Sequence, residues 1–235
     1  MKNIGIILAG GTGSRMGSSM PKQFLLLGGK TVLDHSLNAF QQHSAIDEIY
    51  IVTHPDFIPQ TQELLQKGYY PKVSRILAGG KERHHSTLSA LQACPREECK
   101  LIIHDAVRPL VTARMITDCI QALNETAACT TAIPTTDTIL VSDDNRRYLQ
   151  SVLARKFLFN VQTPQAFLKS SLEKAYRKAM ADPAFCPTDD CSVIKRYLPE
   201  IGIKLIEGHS TNLKITYPED LIIAEKMLNN KLKAR

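Results

Sequence analysis

A glycine-rich segment with two cationic side chains is the part of this sequence best suited to chemistry. Glycine lets the backbone turn sharply and approach a ligand, so consecutive N–H groups can point at anionic oxygen atoms. Arg15 and Lys22 add positive charge to the same place. The segment therefore predicts a phosphate-binding loop, with a plain turn as the alternative. It reads Leu8-Ala9-Gly10-Gly11-Thr12-Gly13-Ser14-Arg15-Met16-Gly17 and continues to Lys22.

Two established phosphate-binding motifs do not match this loop. A P-loop needs a lysine directly after its last glycine, whereas Gly17 is followed by Ser18. A dinucleotide-binding fingerprint needs a third glycine where Met16 stands. The loop therefore belongs to neither of these classes.

A carboxylate at the end of an apolar run is the second candidate. Asp105 lies in His104-Asp105-Ala106-Val107-Arg108-Pro109, directly after the strand predicted at Leu101–His104. Functional groups of open parallel sheets gather at the carboxyl ends of strands. A carboxylate there can hold Mg²⁺ that bridges phosphate oxygen atoms. The alternative is that Asp105 caps the following turn and pairs with Arg108. For His104 we expect a hydrogen-bonded packing role and not that of a base.

A third group, Gly79 to Ser86, lies between a predicted strand and a predicted helix. Its two glycines permit close approach to a planar base, and Arg83 and Ser86 lie one helical turn apart. Ser86 could equally be an ordinary polar residue of an early helical turn. Late in the chain, Lys214 lies in an apolar-flanked strand, where a lysine needs an anionic partner.

The hydrophobic pattern predicts an α/β fold with a mostly parallel sheet covered on both faces, because short β-branched runs alternate with amphipathic stretches. Strands are predicted at Gly5–Leu8, Glu48–Thr53, Ser74–Leu77, Leu101–His104, Cys129–Ile133 and Ile203–Glu207. Helices are predicted at Val32–Gln42, Ile58–Gln66, Arg83–Ala93, Thr112–Glu125, Leu168–Ala181, Asp190–Tyr197 and Pro218–Asn230. The whole chain, residues 1–235, is predicted to be one domain.

One stretch, about 134–160, breaks this alternation. Two extended runs, Asp137–Ser142 and Tyr148–Leu153, flank the polar turn Asp143-Asp144-Asn145-Arg146. This pattern predicts a β-hairpin that projects from the domain, with an irregular surface loop as the alternative. A projecting hairpin has unpaired edges and too little core to stand alone, so we expect it to pack against a partner chain.

The composition excludes several classes of protein. No apolar run approaches the roughly 20 residues that span a bilayer, so we expect no membrane partner. The six cysteines show no C-x-x-C spacing, which favours free thiols in a reducing cytoplasm over a metal cluster or a disulfide scaffold. The net charge of +6 is spread along a chain without tryptophan, so we expect small phosphorylated substrates and no nucleic acid.

Together these segments resemble the cytidylyltransferases that act on sugar-alcohol phosphates. The resemblance covers essentially the whole chain in the family's order and implies a Rossmann-like nucleotidyltransferase fold with a protruding β-arm. It also implies transfer of CMP from CTP to a polyol phosphate, Mg²⁺ as cofactor, and a homodimer formed through the arm. The matching segments are LAGGTGSRMG, PKQF, GGKERHHS, HDAVRP, Asp137-Thr138, QTPQAF, TDDCSV and NLKITYPEDL.

The resemblance also implies roles for individual residues. Arg15, Lys22 and Lys214 would be catalytic, and Asp105 would hold the metal. The amides of Ala9, Gly10, Gly11, Thr12 and Gly13 would bind the triphosphate, and Gly80, Arg83 and Ser86 would face the cytidine, with Arg108 in support. Thr138, Arg155 and Thr163 would bind the acceptor, the first two from the arm and toward the neighbouring subunit.

Two branches of the family, which act on different acceptors, each match part of the sequence. The spacing of Arg15 and Lys22 is typical of the branch that acts on 2-C-methyl-D-erythritol 4-phosphate, in the non-mevalonate route to isoprenoids. The start Leu8-Ala9-Gly10-Gly11 is closer to the branch that makes CDP-ribitol from ribitol 5-phosphate. We favour the first branch and keep the second as the alternative. An inactive nucleotide-binding regulator is the alternative of another class, which Arg15, Lys22, Asp105 and Lys214 together argue against.

Overall fold

A seven-stranded sheet forms the centre of the computed structural model, which describes residues 1–11 and 20–233. Only β10 runs antiparallel to its neighbours in this sheet, and the other neighbouring pairs are parallel. This is the predicted α/β fold with a mostly parallel sheet. Across the sheet the strands are β11 (Ile203–Glu207), β7 (Ala128–Pro134), β10 (Phe159–Leu168), β6 (Cys99–Asp105), β1 (Lys2–Ala9), β4 (Glu48–Thr53) and β5 (Val73–Ala78).

Helices cover both faces of the sheet, as the sequence pattern predicts. Along β1 the side chain of Ile7 enters one core while Ile6 and Leu8 enter the other, because strand side chains alternate between faces. The first core contains residues of α1, α2 and α4, and the second contains residues of α3, α5 and α6. The helices are α1 (Val32–Gln41), α2 (Ile58–Lys67), α3 (Arg83–Ala93), α4 (Ala113–Ala122), α5 (Lys169–Ala179), α6 (Asp190–Tyr197) and α7 (Pro218–Lys233).

The strand β10 is absent from the sequence-based prediction, which ends the arm at about residue 160 and assigns no secondary structure to residues 161–167. Its centre reads Gln162-Thr163-Pro164-Gln165, a polar stretch with a proline, and such a stretch is not typical of a central strand. In the structure Gln162, Thr163 and Gln165 are buried between β6 and β7, and the pairing with β7 shifts between Val161 and Gln165. The tertiary environment therefore overrides the local pattern here.

The predicted arm is present as a two-stranded hairpin, β8 (Leu140–Ser142) and β9 (Leu149–Val152), whose strands pair only with each other in the described structure. Its turn forms because the Asp143 carboxylate accepts the backbone N–H groups of Arg147 and Tyr148, at 2.7 and 3.1 Å. Arg146 has a positive φ of 57° in this turn. A second short hairpin, β2 (Leu26–Leu27) with β3 (Lys30–Thr31), leads into α1.

Gly5 in β1 tests how tightly the sheet packs on α1. A Cβ atom at this position would lie 2.6 Å from the Cδ1 atom of the fully buried Phe40 ring. We therefore expect Gly5→Ala to lower the free energy of unfolding by about 1–3 kcal/mol, since overpacked cores shift side chains and backbone. Urea denaturation measures this change. Gly202→Ala is the control, because its Cβ would meet open space. Equal stability of the two variants would contradict the packing argument.

Candidate active site

The carboxyl ends of four neighbouring parallel strands meet at one edge of the sheet, and the predicted site residues follow three of these ends. The segment Ala9–Gly11 ends β1 and continues past it, Gly79 and Gly80 follow β5, and Asp105 ends β6. Two adjoining clefts open there and share Arg83, Asp105 and Lys214. The first is lined by Ala9, Gly10, Gly11, Lys22, Gly80, Arg83, Ser86, Asp105 and Lys214, among others. The second adds Arg108 and Thr163.

Glycines bring two loops together around the hydroxyl group of Ser86. A Cβ atom on Gly79 would lie 2.6 Å from Ser86 Oγ, and a Cβ atom on Gly10 would lie 3.2 Å from the same atom. Ser86 itself is buried in the first turn of α3. The two glycines therefore let both loops pack on Ser86, which lines the first cleft, and the predicted approach of these loops to phosphates and a base stays a prediction.

An ion network centred on Asp105 organises the shared part of the clefts. Its Oδ2 atom lies 2.8 Å from Lys214 Nζ, and its Oδ1 atom lies 3.4 Å from Arg83 Nε. Burial alone would raise the pKa of the Asp105 carboxyl. The positive charges of Arg83, Lys214 and Arg108 outweigh that effect and hold the pKa well below its usual range. Asp105 is therefore ionised at any physiological pH.

Lys214 reaches this network from a segment without regular secondary structure and not from a strand, which corrects the prediction. The segment pairs with no strand of the sheet; instead, the Ile215 backbone N–H donates to the Val107 carbonyl at 2.9 Å, and the Ile215 side chain is buried. This anchor places Lys214 beside Asp105, which supplies the anionic partner that the sequence analysis requires.

Arg83 is held by two carboxylates. Besides Asp105 it pairs with Asp190, which is completely buried at the first position of α6. The Tyr176 hydroxyl donates to the second oxygen of Asp190 at 2.6 Å. Burial alone would lower the pKa of Arg83, and the attraction of Asp190 and Asp105 raises it well above its usual value. The guanidinium therefore stays charged inside the protein.

His104 connects Asp105 with β10. The Arg108 carbonyl can only accept, so His104 Nε2 donates to it at 3.1 Å and Nδ1 accepts from the Thr163 hydroxyl at 3.0 Å. Thr163 Oγ1 in turn accepts the Asp105 backbone N–H at 3.1 Å. Burial lowers the pKa of the His104 imidazole to about 4, so the ring is neutral. His104 thus has the packing and hydrogen-bonding role expected for it.

Arg108 ties the loop after β6 to the second cleft. Its guanidinium donates to the Asn212 carbonyl at 2.8 Å and to the Val161 carbonyl at 3.3 Å. The Asn212 side chain donates to the Thr163 carbonyl at 2.8 Å. Arg108 therefore binds the backbone of β10 and of the Lys214 segment, and it does not form the direct ion pair with Asp105 that was one alternative.

Several predicted site residues lie outside this assembly. Thr12, Gly13 and Arg15 fall outside the described residues. Thr138 and Arg155 are exposed on the arm segment, and neither lines the two clefts of its own chain. Arg155 donates to the Thr136 carbonyl at 3.1 Å. The structure therefore brings together those predicted nucleotide residues that it describes and leaves Thr138 and Arg155 apart from them.

The sequence analysis assigns no role to two residues that the structure places at the site. Gln23 is buried, lines the first cleft and donates from its amide to the Ala9 carbonyl at 2.9 Å. Asp190 pairs with Arg83 across 107 residues of sequence. Both lie in segments, PKQF and TDDCSV, that carry the family resemblance. The sequence therefore marks these segments but does not indicate the roles of Gln23 and Asp190.

The residues present fit a magnesium ion only in combination with nucleotide phosphates. Among the described residues no group of three or more His, Cys, Asp or Glu side chains could hold a metal. Asp105 lines the cleft, and each of its oxygens keeps lone pairs beyond its contact with a cationic side chain. Mg²⁺ is commonly bound by one or two carboxylates together with phosphates and water, which matches this donor set.

The fold and the cationic cleft at the carboxyl edge of the sheet define an α/β nucleotidyltransferase. The model of the 2-C-methyl-D-erythritol 4-phosphate cytidylyltransferase (IspD) family matches residues 4–230, and the chain belongs to this family. The enzyme of that name from Thermobifida fusca is 41% identical over 227 residues, which are 94% of this chain and 91% of the relative. The predicted family and the cytidylyltransferase class of enzyme are thus confirmed.

Two further comparisons extend this result. The crystal structure of 4-diphosphocytidyl-2C-methyl-D-erythritol synthase from Anaerococcus prevotii superposes with a TM-score of 0.85 at 31% identity, over 97% of this chain and 96% of that one. The bifunctional ribulose 5-phosphate reductase/CDP-ribitol pyrophosphorylase Bcs1 of Haemophilus influenzae is 44% identical over 232 residues. These residues are 98% of this chain and 49% of that relative, so this chain spans about half of its length.

The described helices include none that is long and apolar enough to cross a membrane.

The neutral His104 makes the stability of the fold depend on pH. An unfolded histidine takes up a proton near pH 6.5, whereas the folded one does so only near pH 4. The unfolded state therefore binds more protons between these values, and stability falls as the pH decreases. We expect a loss of about 2 kcal/mol from His104 between pH 7.5 and pH 5.

Urea unfolding of the wild type and of His104→Gln at both pH values measures this contribution. The variant isolates His104, because burial also lowers the pKa of His43 and of His84. The same pH dependence in both proteins would contradict the assignment of a neutral, buried His104.

Proposed function

We propose that this chain transfers the CMP group of CTP to 2-C-methyl-D-erythritol 4-phosphate and releases pyrophosphate, a step in isoprenoid precursor synthesis. The observation that carries the proposal is the cationic cleft, which Lys22, Arg83 and Lys214 line and in which Arg83 and Lys214 pair with the ionised Asp105. A phosphate oxygen of the acceptor attacks the α-phosphorus of CTP, and the bond from that phosphorus to the bridging oxygen of pyrophosphate breaks. Such transfer needs in-line positioning and cationic stabilisation more than covalent help from the protein.

Each side of the first cleft has a role in this proposal. The backbone amides from Ala9 to Gly13 bind the triphosphate, and Gly80, Arg83 and Ser86 face the cytidine. Lys22 and Lys214, together with Arg15, stabilise the negative charge that develops at the phosphates. Lys214 is 40% exposed at its side chain even while it pairs with Asp105, so an incoming phosphate can reach its ammonium group.

Mg²⁺ belongs to the same proposal. Asp105 would hold it beside the nucleotide phosphates, and the ion would neutralise charge on the triphosphate and on the departing pyrophosphate. The low pKa of Asp105 supports this role, since the carboxylate is present at any pH at which the enzyme works.

A homodimer through the arm also belongs to the proposal. The arm exposes an unusual number of large apolar side chains, and contiguous exposed apolar surface marks interaction sites. The partner's arm would bring Thr138 and Arg155 to the acceptor phosphate, while Thr163 lines the same pocket from within the chain. The exposed apolar residues of the arm and its base are Ile139, Leu140, Val141, Tyr148, Leu149, Val152, Leu153, Phe157, Phe159 and Val161.

The proposed partners are thus CTP, a polyol phosphate and a second copy of the chain, in the cytoplasm. All six cysteines carry free thiols, which supports a reducing compartment.

Ribitol 5-phosphate is the second candidate acceptor, because the relative from Haemophilus influenzae with CDP-ribitol pyrophosphorylase in its name matches at 44% identity. Pyrophosphate release from CTP with each polyol phosphate separates the candidates. We expect kcat/KM to be higher with 2-C-methyl-D-erythritol 4-phosphate. A higher kcat/KM with ribitol 5-phosphate would make that compound the acceptor. No pyrophosphate release with either compound would favour a nucleotide-binding regulator.

Lys22→Ala tests the catalytic role of the loop lysine. Loss of a preorganised positive charge at the phosphates is expected to lower kcat by about a hundredfold or more. Pyrophosphate release at saturating CTP and acceptor measures the effect. The control is Lys30→Ala, at an exposed lysine outside both clefts. Near-wild-type turnover by a folded Lys22→Ala variant would remove Lys22 from the mechanism.

Arg155→Ala tests the arm. A lost charge-assisted bond to the acceptor phosphate is expected to raise the KM for the acceptor about tenfold or more while the KM for CTP stays unchanged. Arg147→Ala, at another exposed arginine of the same arm, is the control. A change confined to the KM for CTP would contradict the assignment of Arg155 to the acceptor.

Mixed dimers show whether Arg155 serves the neighbouring subunit. In a two-fold dimer with shared sites, co-expressed Lys22→Ala and Arg155→Ala chains form heterodimers in which one site carries both changes and the other carries neither. Random assembly should restore about a quarter of the sites at low acceptor concentration. If Arg155 acted within its own chain, no site of the mixture would be intact and activity would stay low.

A further inference from the structure

Arg83 carries a second, fully buried counter-charge that lies outside both clefts. Asp190 pairs with Arg83 Nη1 and is completely inaccessible to solvent. Neither cleft is lined by Asp190, whereas Arg83 lines both. Asp190 therefore cannot touch a ligand in the clefts, and any effect that it has on binding must pass through Arg83.

The two carboxylates around Arg83 hold it unequally. Asp105 contacts Arg83 Nε at 3.4 Å and at the same time contacts Lys214 at 2.8 Å. The carboxylate of Asp190 has Arg83 as its only ion-pair partner among the described residues, so its attraction is not divided between two cations. The pair with Asp190 thus fixes the guanidinium more firmly than the divided pair with Asp105.

Asp190 is itself held rigidly by its surroundings. Its other oxygen accepts the Tyr176 hydroxyl at 2.6 Å. Asp189 caps α6 by accepting the Ser192 backbone N–H at 2.8 Å, which fixes the start of the helix. In the segment before α6, the Phe185 ring packs edge-on against His84, the neighbour of Arg83, with ring centroids 5.0 Å apart. The start of α6 and the start of α3 are therefore locked to one another.

The third nitrogen of the guanidinium is unused. Nη2 of Arg83 is buried and has no hydrogen-bond partner among the described residues. Nε and Nη1 are taken by Asp105 and Asp190, so two of the three nitrogens of the guanidinium are fixed by carboxylates. A guanidinium fixed in this way holds its positive charge in one place beside the clefts, which is preorganisation for an anionic ligand.

We propose that Asp190 is a positioning residue that aligns Arg83 for CTP, so that a buried carboxylate at the start of α6, which itself lines neither cleft, sets nucleotide affinity. The proposal rests on the proposed function, in which Arg83 faces the cytidine. Loss of the Asp190 charge leaves Asp105 as the only carboxylate that pairs with Arg83 among the described residues, so the guanidinium shifts toward Asp105. CTP then binds a misplaced guanidinium, whereas the groups that bind the acceptor keep their places.

Equilibrium binding of CTP to the full-length protein without acceptor tests this directly. We expect Asp190→Asn to raise the Kd for CTP by about tenfold to a hundredfold, since small misplacements of binding groups have effects of this size. The KM for the acceptor at saturating CTP should stay unchanged. Asp182→Asn is the matched control, because Asp182 likewise accepts from an arginine and a tyrosine, Arg196 at 2.7 Å and Tyr197 at 2.6 Å.

A double-mutant cycle with Arg83→Met distinguishes positioning from general structural support. In the Arg83→Met background, Asp190→Asn should change the Kd for CTP by no more than about twofold. An undiminished effect in that background, or unchanged CTP affinity in a folded Asp190→Asn protein, would overturn the proposal. If Asp190→Asn does not fold, Tyr176→Phe replaces it. That variant keeps the charge and loosens the carboxylate, so a folded variant with wild-type CTP affinity counts against the proposal.

The free energies of unfolding of the wild type, Asp190→Asn, Arg83→Met and the double variant separate this inference from the proposed function. A wild type that binds no CTP would refute the proposed function. The coupling between Arg83 and Asp190 in unfolding would still be measured, and additive effects of the two changes would then refute the pairing itself.

Discussion

The buried carboxylate of Asp105 between Lys214 and Arg83 is the interaction on which the rest of the site depends. An unpaired charge in this position would be costly to bury. Lys214 and Arg83 lower the cost of burying the Asp105 carboxylate, and the carboxylate lowers the cost of burying these two cations. The three groups come from the end of β6, the start of α3 and the segment before α7. Their mutual compensation therefore fixes the relative positions of three distant parts of the chain at one edge of the sheet.

The surrounding hydrogen bonds extend that constraint into the sheet. Asp105 is tied through its backbone to Thr163, and Thr163 is tied through His104 to the Arg108 carbonyl. These bonds require a neutral imidazole, which burial ensures by lowering the pKa of His104. Thr163, at the polar centre of β10, thus finds its hydrogen-bond partners inside the protein, and it also lines the second cleft.

Under the proposed function, each of the two clefts would bind one of the two substrates. The first combines backbone amides, glycines and cationic side chains, as a triphosphate requires. The second is lined by residues of β10 and by Arg108, and a partner's arm would complete it under the proposed function. Arg83, Asp105 and Lys214 belong to both, so the transferred group would sit where the clefts meet. Asp190 supports that meeting point through its buried ion pair with Arg83.

The sequence by itself determined the features that depend on neighbouring residues. The alternation of apolar runs predicted the parallel strands, and the turn residues after Ser142 predicted the arm. Strand ends predicted Asp105 and the two glycine loops, because parallel strands bring their carboxyl ends to one edge. Only the tertiary structure decided that Gln162–Gln165 lies in a central antiparallel strand, that Lys214 meets Asp105 across 109 residues, and that Asp190 holds Arg83. Local patterns encode period and turn preference, whereas these contacts depend on which distant segments the sheet order makes neighbours.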